Sequence, residues 1–156
     1  MHAAGDLVAK GLNTSRIIDD TFYRKTFIQN KVHGRALIES ELTMEGKVIY
    51  SVISENILES YGAKGSDLDG TIDQLRMTEG VECAILMHQT GQDVYKISMR
   101  SNDIVNVSTI AASFGGGGHV RASGCTMYGL PNSILEKLFT KIKEQLVEAG
   151  CLSCEE

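Results

Sequence analysis

No stretch of this chain approaches the roughly 18 consecutive apolar residues of a membrane span. The N-terminus does not read as a secretory leader either, because Ala3, Ala4, Leu7, Val8 and Ala9 are interrupted by Gly5, Asp6 and Lys10. Both absences lead us to expect a cytoplasmic protein without membrane contact. Basic residues are also scarce: 15 Lys and Arg against 20 Asp and Glu leave a formal net charge of −5. Long nucleic acid is held non-specifically through many Lys/Arg–phosphate contacts, which this balance does not provide. A small anionic ligand needs only a local cluster of donors. Catalytic signatures are missing too: there is no H-E-x-x-H, no G-x-S-x-G, no P-loop lysine and no paired-carboxylate metal motif. The tight acid pairs, Asp19-Asp20 and Asp67/Asp69, read as charges at helix starts. Cys151 and Cys154 form a C-x-x-C with no second pair to complete a zinc site, so it reads as a feature of the tail. Cys83 and Cys125 lie in apolar stretches and read as buried thiols.

The 156 residues suffice for one domain with a proper core, and their 42% hydrophobic and 22% charged content is ordinary for a globular protein. Ala3 to Leu12, a segment capped by Thr14 or Ser15, and a longer segment from about Lys25 to Leu42 carry helical spacing. Residues 1–43 are therefore expected to be a helical lead-in. Lys47–Ile53 is rich in β-formers and reads as a strand, followed by a short helix from Glu55 to Tyr61. Asp67 or Asp69 is expected to start another helix ending near Gly80. Val81–Gln89 and Asp93–Arg100 then form a hairpin around Thr90-Gly91-Gln92. Asn102 or Asp103 is expected to cap a helix presenting Val107, Ile110, Ala111 and Phe114. Ala122–Met127 reads as a further strand and Ser133–Val147 as a clear amphipathic helix. The pattern predicts a mixed α/β fold, a four- to five-stranded mixed sheet flanked by helices and preceded by a helical linker. The domain proper would span 44–149, with 150–156 as a tail.

The most informative segment is Phe114-Gly-Gly-Gly-Gly-His119-Val-Arg121-Ala-Ser123-Gly124. Glycines Gly115, Gly116, Gly117 and Gly118 let the backbone take positive φ and approach a ligand closely. Successive N–H groups in such a turn can form an anion-binding nest, with His119 and Arg121 adding side-chain donors. The alternative is a flexible linker, against which stand the shortness of the run and the apolar segments on both sides. Arg100 closes the preceding strand, and the chain order brings it to the same sheet edge as His119 and Arg121. Alone it would read as a surface arginine paired with Asp93 or Asp103. Beside the glycines it reads as a phosphate ligand, since a guanidinium grips phosphate oxygens bidentately.

At Ile97-Ser-Met-Arg-Ser101 and Ile110-Ala-Ala-Ser-Phe-Gly-Gly-Gly-Gly-His119-Val-Arg-Ala-Ser-Gly124 the chain resembles the C-terminal, DHH-associated domain of DHH phosphoesterases. Asp69–Arg76 and Gly80–Leu86 extend the likeness. It is similar in particular to the bacterial oligoribonuclease type that also removes phosphate from adenosine 3′,5′-bisphosphate, within a family that includes exopolyphosphatase-related proteins. The resemblance implies a hydrolase divided between two domains. An N-terminal domain would carry the Asp-His-His motif and two divalent cations, usually manganese. A C-terminal domain would grip a nucleotide or short oligonucleotide through Arg100, Gly115–Gly118 and His119. Arg121 stands at a position that varies in the family, and Ser123, where alanine is common, would add a hydrogen bond to the ligand. The Asp-His-His motif is absent here, so the chain reads as the substrate-binding half of a longer enzyme. By itself it is expected to bind no metal and to hydrolyse nothing. Dimerisation through an exposed sheet edge, or through the surface a catalytic domain would cover, is a further expectation. Two alternatives share the glycine-rich domain: cyclic-dinucleotide phosphodiesterases, and the RNA-binding module of alanyl-tRNA synthetases, against which the acidic balance argues.

Overall fold

The structure is a computed structural model that describes residues 8–153. Residues 3–7 of the first expected helix, and Cys154, lie outside the described residues.

Asn13, rather than Thr14 or Ser15, caps the short helix α1 (Thr14–Ile18), accepting the Arg16 N–H at 2.9 Å. The helix continues as a π-turn, Asp19–Tyr23. Helix α2 (Phe27–Ile38) opens on a capping box in which Thr26 and Gln29 exchange side-chain and backbone bonds. It stops short of the expected Leu42 because Glu41–Thr43 forms strand β1, paired antiparallel with β2 (Val48–Ile53). The remaining strands are β3 (Cys83–Gly91), β4 (Val94–Ser101), β5 (Gly117–His119) and β6 (Ala122–Tyr128). They make one six-stranded mixed sheet in the order β1-β2-β3-β4-β6-β5. The expected α/β architecture is thus present, with β1 and β5 taking the strand count above the four or five predicted.

Only β2 and β3 run parallel, and such a pair needs a crossover. Helix α3 (Glu55–Ser60), a 3₁₀ turn (Gly65–Leu68) and helix α4 (Thr71–Arg76) supply it. Neither expected aspartate starts α4. Asp67 instead accepts the Lys64 N–H at 2.8 Å within the 3₁₀ turn, and Gly70, at φ 91°, takes the cap position. The hairpin turn between β3 and β4 falls at Gln92-Asp93, slightly later than the composition suggested.

Strand alternation splits the core in two. Ile85, Met87, Ile97, Met99 and Met127 face helices α5 (Val107–Ser113) and α6 (Pro131–Glu148), meeting Ile110, Leu138, Ile142 and Leu146. On the other face Ile49, Ile53, Ala84 and Leu86 pack against Val32 and Ala36 of α2, Leu58 of α3, and Ile72 and Leu75 of α4. That second helical layer covers β2 and β3 and touches β4 through α4. The facing residues of β4 and β6 are Lys96, Ser98, Arg100, Ala122, Gly124, Thr126 and Tyr128, none of them buried, and they form an open shelf.

Candidate functional site on the open sheet face

Helix α5 delivers the glycines to this shelf. Its cap is Asn106, which accepts the N–H groups of Ser108 and Thr109 at 3.1 and 3.3 Å. The expected cap Asn102 is committed elsewhere: its amide donates to the Val81 carbonyl at 2.8 Å and its oxygen accepts from Arg76 at 2.6 Å. At the other end of α5 the Gly116 N–H bonds the Ala111 carbonyl and the Gly115 N–H bonds the Ala112 carbonyl, with Gly115 at φ 75°. This is a Schellman closure. The N–H groups of Gly115 and Gly116 are therefore spent on the helix. The nest expected from the sequence is not what the backbone builds.

The glycines act through their missing side chains instead. A Cβ on Gly116 would collide with the Gly124 carbonyl and approach Cys125 Cα to 2.7 Å. One on Gly118 would meet the Ala122 carbonyl at 2.6 Å. These two positions let the turn lie against β6. A Cβ on Gly117 would meet nothing within 4 Å, so this residue leaves open space above the shelf.

Register fixes which side chains share the space. Arg100 pairs with Ala122, and Ala122 with His119, so Arg100 and His119 lie in one row on one face. Their backbones stand about 10 Å apart, two strand spacings. Ser98 pairs with Gly124 and Gly124 with Gly117 in the next row, and Lys96 pairs with Thr126 beyond it. The result is an open cavity of about 860 Å³ floored by β4 and β6 and walled by Phe114, Gly115–Gly117 and His119. Lys96 and Arg100 line it and no carboxylate does, so an acidic chain presents a locally cationic surface here. Arg100 Nε lies 3.4 Å from Asp73, a partly exposed and hence weak ion pair, and Nη1 reaches the Met99 carbonyl at 3.3 Å. Asp73, rather than the Asp93 or Asp103 considered from the sequence, is the acidic neighbour. Cys125 also borders the cavity, but burial pushes its thiol pKa up, away from nucleophilic use.

Of the residues singled out from the sequence, Arg100, Gly115, Gly116, Gly117, His119 and Ser123 border this cavity, and Gly118 and Arg121 do not. The Ser123 hydroxyl donates to the His119 carbonyl at 2.7 Å, which ties the β5–β6 hairpin together. Arg121, in the turn of that hairpin, donates to the Val105 carbonyl at 2.9 Å and also to the Asp103 carbonyl. Its guanidinium is a bolt between hairpin and loop. The same loop is held from below by the buried carboxylate of Glu82, which accepts the N–H groups of Asp103, Ile104 and Val105 at 3.1, 2.7 and 2.9 Å. Sequence reasoning missed Lys96, Ser98, Thr126 and Tyr128, although the alternation Lys96-x-Ser98-x-Arg100 placed the first two on Arg100's face. It gave no sign of Glu82.

Residues 45–148 match the model of the DHHA1 domain. This chain belongs to the DHHA1 domain family. The expected relationship to the DHH phosphoesterases is borne out. The bifunctional oligoribonuclease and PAP phosphatase NrnA of Thermus thermophilus is 32% identical over 102 residues, covering 65% of this chain and 31% of that protein. The chain thus spans less than a third of its curated relative. An exopolyphosphatase-related protein from Bacteroides fragilis superposes with a TM-score of 0.82 at 18% identity, covering 90% of this chain and 42% of the other. The pGpG-specific phosphodiesterase PggH of Vibrio cholerae gives 0.53 at 14% identity, over 76% and 40% of the two chains. At these identities the two structures bear on fold alone. Among the described residues of this DHHA1 domain, no group of three or more His, Cys, Asp or Glu side chains is placed to hold a metal ion. Nor is any helix long and apolar enough to cross a membrane.

Proposed function

We propose that this DHHA1 domain is the substrate-gripping part of a metal-dependent phosphoesterase that acts on short oligoribonucleotides or nucleotide phosphates such as adenosine 3′,5′-bisphosphate. The observation that carries the reading is the cationic, carboxylate-free cavity between β4, β6 and the glycine turn. Its volume of about 860 Å³ suits a whole nucleotide, within the usual range for small-molecule sites. The Arg100 guanidinium has five N–H donors and only two weak protein contacts, which leaves donors for phosphate oxygens. His119 adds a donor from the opposite side of the same row, and Lys96 extends the positive field along β4. The exposed ring of Tyr128 at the cavity border offers a face on which a base can stack.

The residues described here do not make a cage for the divalent cations that the family resemblance implies, manganese among them. In this reading such ions belong to a DHH catalytic domain, and this chain's part is to bind and orient. The exposed Tyr23, Phe27, Ile38 and Met77 offer apolar surface for a domain of that kind to cover. A reducing, cytoplasmic setting suits the free thiols of Cys83, Cys125 and Cys151.

Isothermal titration of the chain with adenosine 3′,5′-bisphosphate, without metal, tests the reading. Saturable binding is expected, weakened about tenfold or more in Arg100→Ala and in His119→Ala, as befits a charged contact of about 1.5–3 kcal/mol. Binding that both substitutions leave intact would place the ligand elsewhere and refute the proposal.

A further inference from the structure

In the loop of residues 102–106, between β4 and α5, a buried anion and a cation meet through peptide groups. Glu82, just before β3, is only 6% exposed, and a carboxylate so placed needs donors around it. The N–H groups of Asp103, Ile104 and Val105 supply them, and the Glu82 carbonyl accepts the Asn102 N–H at 2.9 Å. From the other side the Arg121 guanidinium donates to the carbonyls of Asp103 and Val105. The peptide unit joining Asp103 to Ile104 is thus gripped at both ends, its carbonyl by Arg121 and its N–H by Glu82 at 2.7 Å. The next gripped unit, Val105 to Asn106, has its carbonyl on Arg121 and on the buried Ser101 hydroxyl, and its N–H on Gln145 of α6 at 2.7 Å. Anion and cation polarise the first of these peptides in the same sense, so each charge strengthens the bonds of the other.

The part of the fold that hangs on this clamp is the β5–β6 hairpin. Strand β5 has three residues, lies at the sheet edge and is exposed throughout, and two of its residues are glycine. Such a strand has almost no side-chain packing to fix its place. Its tip is tied instead to the clamped loop and to the first turn of α5. Arg121 reaches the loop, the Val120 carbonyl accepts the Val107 N–H at 3.0 Å, and the Gly118 carbonyl accepts the Ser108 hydroxyl at 3.3 Å. His119 is the one side chain that β5 brings to the cavity, two residues before Arg121. Arg100 stands on β4, which is paired on both sides and does not depend on the hairpin tip.

Building on the function proposed above, we propose that Arg121 and Glu82 are positioning residues for His119. Bridged by the 103–105 loop, they fix the hairpin so that the imidazole stands across the shelf from Arg100. Neither touches the ligand. Loosening the clamp removes the contribution of His119 to binding and leaves that of Arg100 in place.

The test is a double-substitution cycle on the binding of adenosine 3′,5′-bisphosphate to the complete chain, by calorimetry at a temperature where each variant is folded by circular dichroism. Arg121→Met should weaken binding about tenfold, the loss expected of His119→Ala. Adding His119→Ala to Arg121→Met should weaken it by less than about twofold more, whereas adding Arg100→Ala should bring its full loss, since coupled groups are non-additive and independent ones add. Glu82→Ala should behave as Arg121→Met does. Glu82→Gln keeps one oxygen for the Ile104 and Val105 N–H groups and should recover most of the affinity. Should Arg121→Met not fold, Arg121→Lys, whose ammonium replaces the two-pronged grip by a single point, carries the same cycle with a smaller loss. In the unsubstituted protein the Arg100 Nε–H resonance should move on saturation and that of Arg121 should stay. Additive losses for Arg121→Met and His119→Ala, or an Arg121 resonance that moves as far as that of Arg100, would make Arg121 a ligand contact. Unchanged affinity in folded Arg121→Met would make the clamp purely structural. Either result overturns the positioning role and leaves the proposed function standing. If the unsubstituted chain binds no nucleotide, both proposals fall.

Discussion

Replacing each glycine of the four-residue run by alanine separates packing from ligand access, because the four positions differ in what a methyl group would meet. At Gly116 the new Cβ would collide with the Gly124 carbonyl and crowd Cys125 Cα at 2.7 Å. Backbone cannot swing aside like a side-chain end, so β6 or the turn has to move. Overpacking of this kind costs about 1–3 kcal/mol or more. At Gly118 a φ of 144° adds conformational strain to a 2.6 Å approach to the Ala122 carbonyl, at a comparable cost. Gly115, at φ 75° in open space, carries the strain term alone, about 1 kcal/mol. At Gly117 neither term applies, and the change stays within about 0.5 kcal/mol. For a domain of this size 1 kcal/mol shifts the melting temperature by about 2–4 °C. Scanning calorimetry should therefore rank the variants, with Gly116→Ala and Gly118→Ala melting about 4–8 °C below the parent and Gly117→Ala alongside it. Gly117→Ala should nevertheless bind adenosine 3′,5′-bisphosphate less well, because its methyl enters the cavity. Equal melting losses at all four positions would refute the reasoning, since they would mean that the run acts only as flexible chain.

Glu82→Ala orphans three loop N–H donors and should cost at least about 3 kcal/mol at about 1–3 kcal/mol per donor, measurable as a lower urea midpoint. Arg121→Met removes the bolt to the Asp103 and Val105 carbonyls and should cost about 1–3 kcal/mol, with greater hydrogen exchange in Gly117–His119. Acidification should destabilise the fold through His33 and His88. Burial lowers the folded-state pKa of both rings, with Lys25 assisting at His33 and Lys96 at His88. The unfolded chain takes up protons first, so this contribution is complete above the ordinary value of about 6.5 and is lost as pH falls through it. His33→Gln should flatten the fall in urea midpoint between pH 7.5 and 5, and an unchanged slope would assign it to other groups.

Legibility followed the side-chain pattern. The β3–β4 hairpin announces itself through alternating apolar residues from Val81 to Arg100, and α6 through Ile134, Leu138, Ile142 and Leu146. The concealed strands lack such a signal. In β5 two of three residues are glycine, so no alternation exists, and the pairing comes from close backbone approach to β6. In β1, Leu42 continued the spacing of the preceding helix, and only pairing with β2 decides its conformation. Caps were misplaced where a side chain had a better distant partner. Asn102 turns to Val81 and Arg76, which leaves Asn106 to cap α5. The same physics hid the roles of Arg121 and Glu82. Each binds backbone groups far away in sequence, and a charge printed in a sequence carries no record of a distant carbonyl or N–H. Arg100 and His119 were legible as a pair because strand order alone brings them to one row.

The central claim is that the open face of β4 and β6, closed by the glycine turn, holds a nucleotide. An amide chemical-shift titration of the labelled chain with adenosine 3′,5′-bisphosphate tests it most directly. The expected result is saturable shifts concentrated at Ser98, Arg100, Gly115–His119 and Gly124, with β1 and the outer surface of α6 unmoved. Shifts confined to other surfaces, or none at millimolar ligand with the spectrum of a folded protein, would contradict it.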